Sequence, residues 1–192
     1  MMTMRRALLA TGLTLTFAAC QDGVTGPEMT GAAAPMGMSL AQAGVSCGGQ
    51  PTNQFGNDGF NFLYGGPGDD KLIGKGGTDF IYSYGGNDCL MGGPGDDRLF
   101  AGDGDDYLVG GDGNDLLDSS YGAYEVLIGG AGNDVLIARY GEASSVHGGA
   151  GNDRIFTSDG VADDVECGDG DDEAVVDALD TVRNCEIVTV TQ

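Results

Sequence analysis

The sequence predicts an all-β protein wound as a solenoid of short strands, and three observations carry that prediction. A nine-residue unit recurs from Gly56 to Val175, its eighth position is aliphatic in unit after unit, and glycine and aspartate dominate the residues between. Self-similarity at so short a period marks a chain whose units bury a hydrophobic face only by stacking on one another. The units run Gly65–Ile73, Gly74–Tyr82, Ser83–Met91, Gly92–Phe100, Ala101–Val109 and Gly110–Asp118. After a variant unit come Gly129–Ile137, Gly148–Phe156 and Cys167–Val175. The eighth position holds Leu63, Leu72, Ile81, Leu90, Leu99, Leu108, Leu117, Leu127, Leu136, Val146, Ile155, Val165 and Ala174, always 9 or 10 residues apart.

Each position of the unit has a physical task. Glycine at positions one, two and four permits positive φ in a tight turn and lets carbonyl oxygens approach a cation. Aspartate at position six supplies the hard oxygen that calcium prefers. Strand side chains alternate, so position eight points inward while seven and nine point out. The interior is then a narrow column with about one large residue in nine. Burying each contributes roughly 1.5–3 kcal/mol, whereas ordering each backbone residue costs about 1–2 kcal/mol. An aliphatic column this thin does not hold the chain alone. A bound metal has to close the gap, and chelation is expected to undo the fold.

Composition agrees. The chain has 37 glycines in 192 residues, 30 acidic residues against 8 basic ones, and a net charge of -22. Such a surface repels nucleic acid and anionic lipid and attracts cations. High charge and abundant glycine would otherwise signal disorder, but the strict period argues against it. Collagen is excluded because glycine does not recur at every third residue.

Over residues 56–175 the pattern Gly-Gly-x-Gly-x-Asp-x-U-x, with U a large aliphatic, resembles the RTX, or hemolysin-type, calcium-binding nonapeptide-repeat family. The resemblance implies a right-handed parallel β-roll with two units, about 18 residues, per turn and Ca²⁺ between the turns. Six residues of each unit would form the calcium turn and three a strand. It implies carboxylate ligands at Asp70, Asp79, Asp88, Asp97, Asp106, Asp115, Asp134, Asp153, Asp163 and Asp172. Backbone ligands would come from Gly66, Gly68, Gly93, Gly95, Gly111, Gly113, Gly130, Gly132, Gly149, Gly151, Gly168 and Gly170.

With two units per turn, alternate units share an edge, and the two edges differ. The units starting at 74, 92, 110, 129, 148 and 167 all keep the position-six acid. The other edge begins with Asp70, Asp88 and Asp106, then passes into ten-residue variants at Ser119–Ile128, Ala138–His147 and Thr157–Glu166. There the position-six region reads Tyr124-Glu125, then Ser144, and regains acids only at Asp163 and Asp164. About five ions are expected on the intact edge and about two on the other, within a total of about 5–8.

The N-terminus reads as an address. Arg5 and Arg6 precede an apolar run, Ala7–Ala19, too short to span a membrane as a helix and suited to a signal peptide over residues 1–19. Phe17-Ala18-Ala19-Cys20 resembles a bacterial lipobox, which implies lipidation of Cys20; ordinary cleavage nearby would leave Cys20 a free thiol. Residues 20–46 read as a flexible tether, 47–55 as an N-terminal cap and 176–192 as a C-terminal cap. The predicted location is extracellular, at the cell surface, with membrane contact only through the anchor.

Cys167 and Cys185 stand 18 residues apart, one turn of such a roll, at a strand spacing inside the window for a disulfide. The tail also resembles small exported calcium-binding RTX proteins in which such a pair closes the roll. The same resemblance implies a Cys47–Cys89 bond pinning the N-terminal cap, with a free thiol as the competing reading. Zinc is disfavoured, since there is no Cys-x-x-Cys and His147 is the only histidine.

Positions seven and nine place Phe62, Tyr64, Phe80, Tyr82 and Phe100 on one outer face, either stacked on each other or under the segment Cys47–Phe55, or exposed for a glycan or protein partner. Ile73, Met91, Val109 and Ile128 form a column on the opposite face. No nucleophile stands in a recognisable catalytic setting, and the aspartates belong to the loops, so no enzyme is predicted. The expected function is calcium binding by an exported protein whose fold depends on Ca²⁺. The alternative is a calcium-dependent adhesin or matrix protein using the aromatic face.

Overall fold

A strand of three residues flanked by glycine turns has no room for helix, and none forms among the described residues. The computed structural model describes residues 53–192 apart from 120 and 123. The expected signal peptide, Cys20, the tether and Cys47 lie outside the described residues. Among the described residues sixteen short strands alternate between two sheets. One sheet stacks β1 (Asn53–Phe55), β3 (Lys71–Ile73), β5 (Cys89–Pro94), β7 (Tyr107–Asp112), β9 (Val126–Ala131), β11 (Ser145–Ala150), β13 (Asp164–Asp169) and β15 (Thr181–Arg183). The other stacks β2 (Phe62–Tyr64), β4 (Phe80–Gly85), β6 (Arg98–Asp103), β8 (Leu116–Asp118), β10 (Val135–Ile137), β12 (Arg154–Phe156), β14 (Glu173–Val176) and β16 (Ile187–Val190). Every neighbouring pair is parallel. This is the parallel β-roll that the repeat predicts.

The register follows the sequence period. Leu90 pairs with Leu108 across one 18-residue turn, and Leu108 pairs with Leu127 across a 19-residue turn. The extra residue of each variant unit bulges at one edge and leaves the strands in line. The sheets also run past residues 56–175 at both ends, because β1 pairs with β3 and β16 pairs with β14.

All thirteen position-eight residues, Leu63 to Ala174, are buried between the sheets. Ala101, Ala138 and Cys167, at position one of their units, and Val176, just past the last unit, join the same cluster. Cys167 is bonded to Cys185 with a Cα separation of 5.1 Å, closing the last turn. Cys89 is fully buried and disulfide-bonded, although position seven points outward; its expected partner, Cys47, is not among the described residues. Around it Tyr107, Val109, Val126 and Ile128 form a second buried cluster on the outer face of the odd-numbered sheet.

On the other sheet the aromatic residues stack upon one another. Tyr64, Tyr82 and Phe100 follow at centroid spacings of 6.2 and 4.5 Å, with planes tilted by 18° and 12°. Phe62 and Phe80 lie beside them at 5.3 Å, and the Arg98 guanidinium sits 5.0 Å from the Phe80 ring.

Candidate metal centre

At both edges of the roll the loops between strands lie directly over one another, and backbone and side chain lock them in register. On the intact edge the amide of Asp79 donates to Oδ1 of Asp97 at 2.7 Å, Asp97 to Asp115 at 2.8 Å and Asp115 to Asp134 at 2.8 Å. Asp134 continues to Asp153 at 2.9 Å, and Asp153 to Asp172 at 2.7 Å. Asn61, at position six of the first unit, and Glu186, beyond the last one, complete the column. The Asn61 amide donates to Asp79 at 2.7 Å, and the Asp172 amide to Oε2 of Glu186 at 2.9 Å.

One oxygen of each carboxylate is spent on the preceding turn. The other is buried without a hydrogen-bond partner in Asp79, Asp97, Asp115, Asp134, Asp153 and Asp172. Burying a polar oxygen unpaired is costly, and a column of them marks a place built for something to bind. Backbone carbonyls crowd the same space. A Cβ added to Gly92 would overlap Oδ2 of Asp97 and lie 2.7 Å from the Gly110 carbonyl oxygen. At Gly92 glycine is thus required for space, and the position-one glycines do not adopt the positive φ expected from the repeat. Positions two and four do adopt it: Gly93, Gly95, Gly111, Gly113, Gly130, Gly132, Gly149, Gly151, Gly168 and Gly170 all have φ between 112° and 155°. Gly66 and Gly68, in the first loop of the other edge, do not share that conformation.

The second edge repeats the design with a break. The Asp70 amide donates to Asp88 at 2.7 Å, and Asp88 to Asp106 at 2.8 Å. Ser144 donates to Asp163 at 2.7 Å, and Asp163 to Asp180 at 2.9 Å. Between these runs no carboxylate stands at 144. Position one here carries Ser83, Ala101, Ser119, Ala138 and Thr157 in place of glycine, all buried.

The repeat pattern does not include Glu186 or Asp180, which replace position-six aspartates from shortened units at the C-terminal end. It also misses a second ladder at position five. Asn114 donates its amide to Asp96 at 2.8 Å, Asn133 to Asn114 at 3.0 Å and Asn152 to Asn133 at 2.8 Å, in the opposite direction to the first ladder. The recurrence of Asp or Asn at position five was the available signal.

No three His, Cys, Asp or Glu side chains converge as a metal cluster among the described residues. The loops of Asp79, Asp88, Asp97, Asp106, Asp115, Asp134, Asp153, Asp163 and Asp172 instead each offer one unpartnered carboxylate oxygen together with carbonyl oxygens, an all-oxygen set of the kind a hard divalent cation takes. The aspartates and the carbonyl-bearing loops fit Ca²⁺.

Burial drives the acidity of these carboxyls. It raises Asp88 and Asp153 to about 6, Asp97, Asp134 and Asp163 to about 7, and Asp106 and Asp115 to about 8, against 3.8 ordinarily. Like-charged neighbours push in the same direction, and the amide bonds from adjacent loops oppose it. The metal-free fold therefore holds more protons than the unfolded chain, a stabilisation complete below about pH 3.8 and lost as pH rises through 6 to 8. Metal-stripped protein is expected to gain β-sheet circular dichroism as pH falls from 8 to 4. A signal that weakens on acidification would contradict this account.

The model of the RTX calcium-binding nonapeptide repeat matches the chain in four copies, at residues 55–90, 82–117, 125–142 and 143–174. No curated protein and no solved structure matches it. The matched segments cover more than half of the sequence and coincide with the stacked loops, so the chain belongs to the RTX calcium-binding nonapeptide repeat family.

Proposed function

We propose that this is an exported, non-catalytic calcium-binding protein whose roll is held by ions lodged between consecutive loops of each edge. The observation that carries the reading is the row of buried, unpartnered carboxylate oxygens facing backbone carbonyls. On the intact edge Asp79, Asp97, Asp115, Asp134, Asp153 and Asp172 would hold about five ions, one between each neighbouring pair. On the other edge Asp70, Asp88 and Asp106 would hold about two. Bound calcium supplies positive charge that lets these carboxylates stay ionised while buried. The chain's own part is to present the oxygens: glycine removes the side chains that would block them, and the amide ladder fixes each carboxylate.

Export follows from the same chemistry together with the apolar run Ala7–Ala19 and Cys20. Extracellular calcium sites bind at about 10⁻⁴–10⁻³ M, so the fold would form outside the cell, with a lipid at Cys20 as the tether to its surface. The aromatic face does not favour a second reading as an adhesin. Rings in the column Tyr64–Tyr82–Phe100 spend their faces on one another, and a sugar ring needs an open face to stack upon.

Native mass spectrometry of the exported protein in calcium tests the proposal. No fewer than about seven ions are expected from the two edges. Two ions or fewer would reject the assignment.

A further inference from the structure

We infer that Glu125 closes an additional calcium site on the second edge, in a loop that departs from the nonapeptide pattern. The inference rests on the reading of the stacked loops as calcium turns. The unit Ser119–Ile128 has ten residues, and the family match is interrupted across 118–124. By pattern the loop is degenerate. The strand after it nevertheless keeps its register, with Val126 opposite Tyr107 and Leu127 opposite Leu108. Glu125 consequently stands one turn beyond Asp106, where the next position-six carboxylate belongs.

Its side chain does what an aspartate does elsewhere. Oε2 accepts the Asp106 amide at 3.2 Å and the Ser119 hydroxyl, so the amide ladder continues through the variant loop. The residue is 1 % exposed, and its other oxygen, Oε1, is buried with no hydrogen-bond partner. Oδ2 of Asp106, one turn earlier, is in the same condition.

The backbone half of the site is also present. A Cβ on Gly122 would overlap both Oε1 of Glu125 and the carbonyl oxygen of Gly104. Gly113 and Gly132, at position four of intact loops, meet the carbonyls of Gly95 and Gly113 in the same way. Gly122 thus meets the preceding position-four carbonyl as those glycines do, although without their positive φ, and Oε1 shares that space. Glutamate takes the place that an aspartate has in an intact loop. The same compensation is missing one turn on, where Ser144 carries no carboxylate.

The test is the number of ions retained by the exported protein in saturating calcium, counted by native mass spectrometry, with circular dichroism to verify the fold. Glu125→Gln keeps the size and removes the charge, and should bind one ion fewer than wild type while retaining its β-sheet spectrum. Gly122→Ala keeps the charge and fills the place of Oε1, and should also lose one ion. Either variant, folded and carrying the wild-type number, overturns the assignment. Glu125→Gln that does not fold in saturating calcium counts against it too, since loss of one site leaves the other ions in place. If wild type binds no calcium, the underlying reading fails rather than the role of Glu125.

Discussion

At neutral pH, removing calcium is expected to abolish the β-sheet circular dichroism of this protein, and millimolar Ca²⁺ is expected to restore it. Among the described residues ten carboxylates, from Asp79 to Asp172 and including Glu125, bury an oxygen without a hydrogen-bond partner. A buried charge without a partner costs several kcal/mol, while a domain has only about 5–15 kcal/mol of stability to lose. A few such groups would exhaust it. Proton uptake relieves the cost only in part at neutral pH: Asp106 and Asp115, at about 8, are mostly protonated and Asp97, at about 7, half so, whereas Asp88, at about 6, stays mostly ionised. Magnesium at the same concentration is expected to restore far less, since it keeps its waters and demands a tighter octahedron. The measurement is far-UV circular dichroism during titration of metal-stripped protein. An unchanged sheet spectrum in excess EGTA, with no metal retained, would remove the basis of the proposal.

The second large effect is expected from one methyl group. Gly132 has φ of 140°, and a Cβ there would overlap the carbonyl of Gly113 in the loop above. Gly132→Ala therefore carries two penalties. The strained backbone costs about 1–3 kcal/mol, and the overlap forces apart two loops that offer ligands to a common space. A loss of about 3 kcal/mol or more is expected in calcium-saturated urea unfolding, with a higher calcium concentration needed for folding. Gly160→Ala separates the two causes. That residue has φ of 92°, but no atom lies within 4 Å of its added Cβ, so it should lose only about 1 kcal/mol. Equal losses in the two variants would show that conformation alone matters and that loop contact does not.

Much of this architecture is legible in the sequence because one rule, inward at position eight, repeats until it leaves no choice. Leu72, Leu99 and Leu136 are fully buried for that reason. The unequal edges are legible as well, since the insertions of the variant units all fall on one side. Less legible are residues that serve a repeated role from an irregular place. Glu125, Asp180 and Glu186 enter the ladder because strand register, and not the count of loop residues, decides which carboxylate meets which amide. Cys89 shows the opposite error. The alternation rule correctly sends it outward, but outward is not exposed on a face where Tyr107, Val109, Val126 and Ile128 are buried too. Alternation gives a direction, and burial depends on what lies beyond it. Position one carried a third lesson, since its glycines are dictated by crowding at the carboxylate and not by dihedral freedom.

The interruption at Ser144 gives the molecule unequal flanks. Along one side an unbroken line of amide-to-carboxylate links joins Asn61 to Glu186, whereas the opposite side is divided into an upper and a lower segment. In a stack where each layer holds only its neighbours, cooperativity travels no farther than the links allow. Heat or tension should part the layers first beside residues 138–147, with the continuous side acting as the hinge.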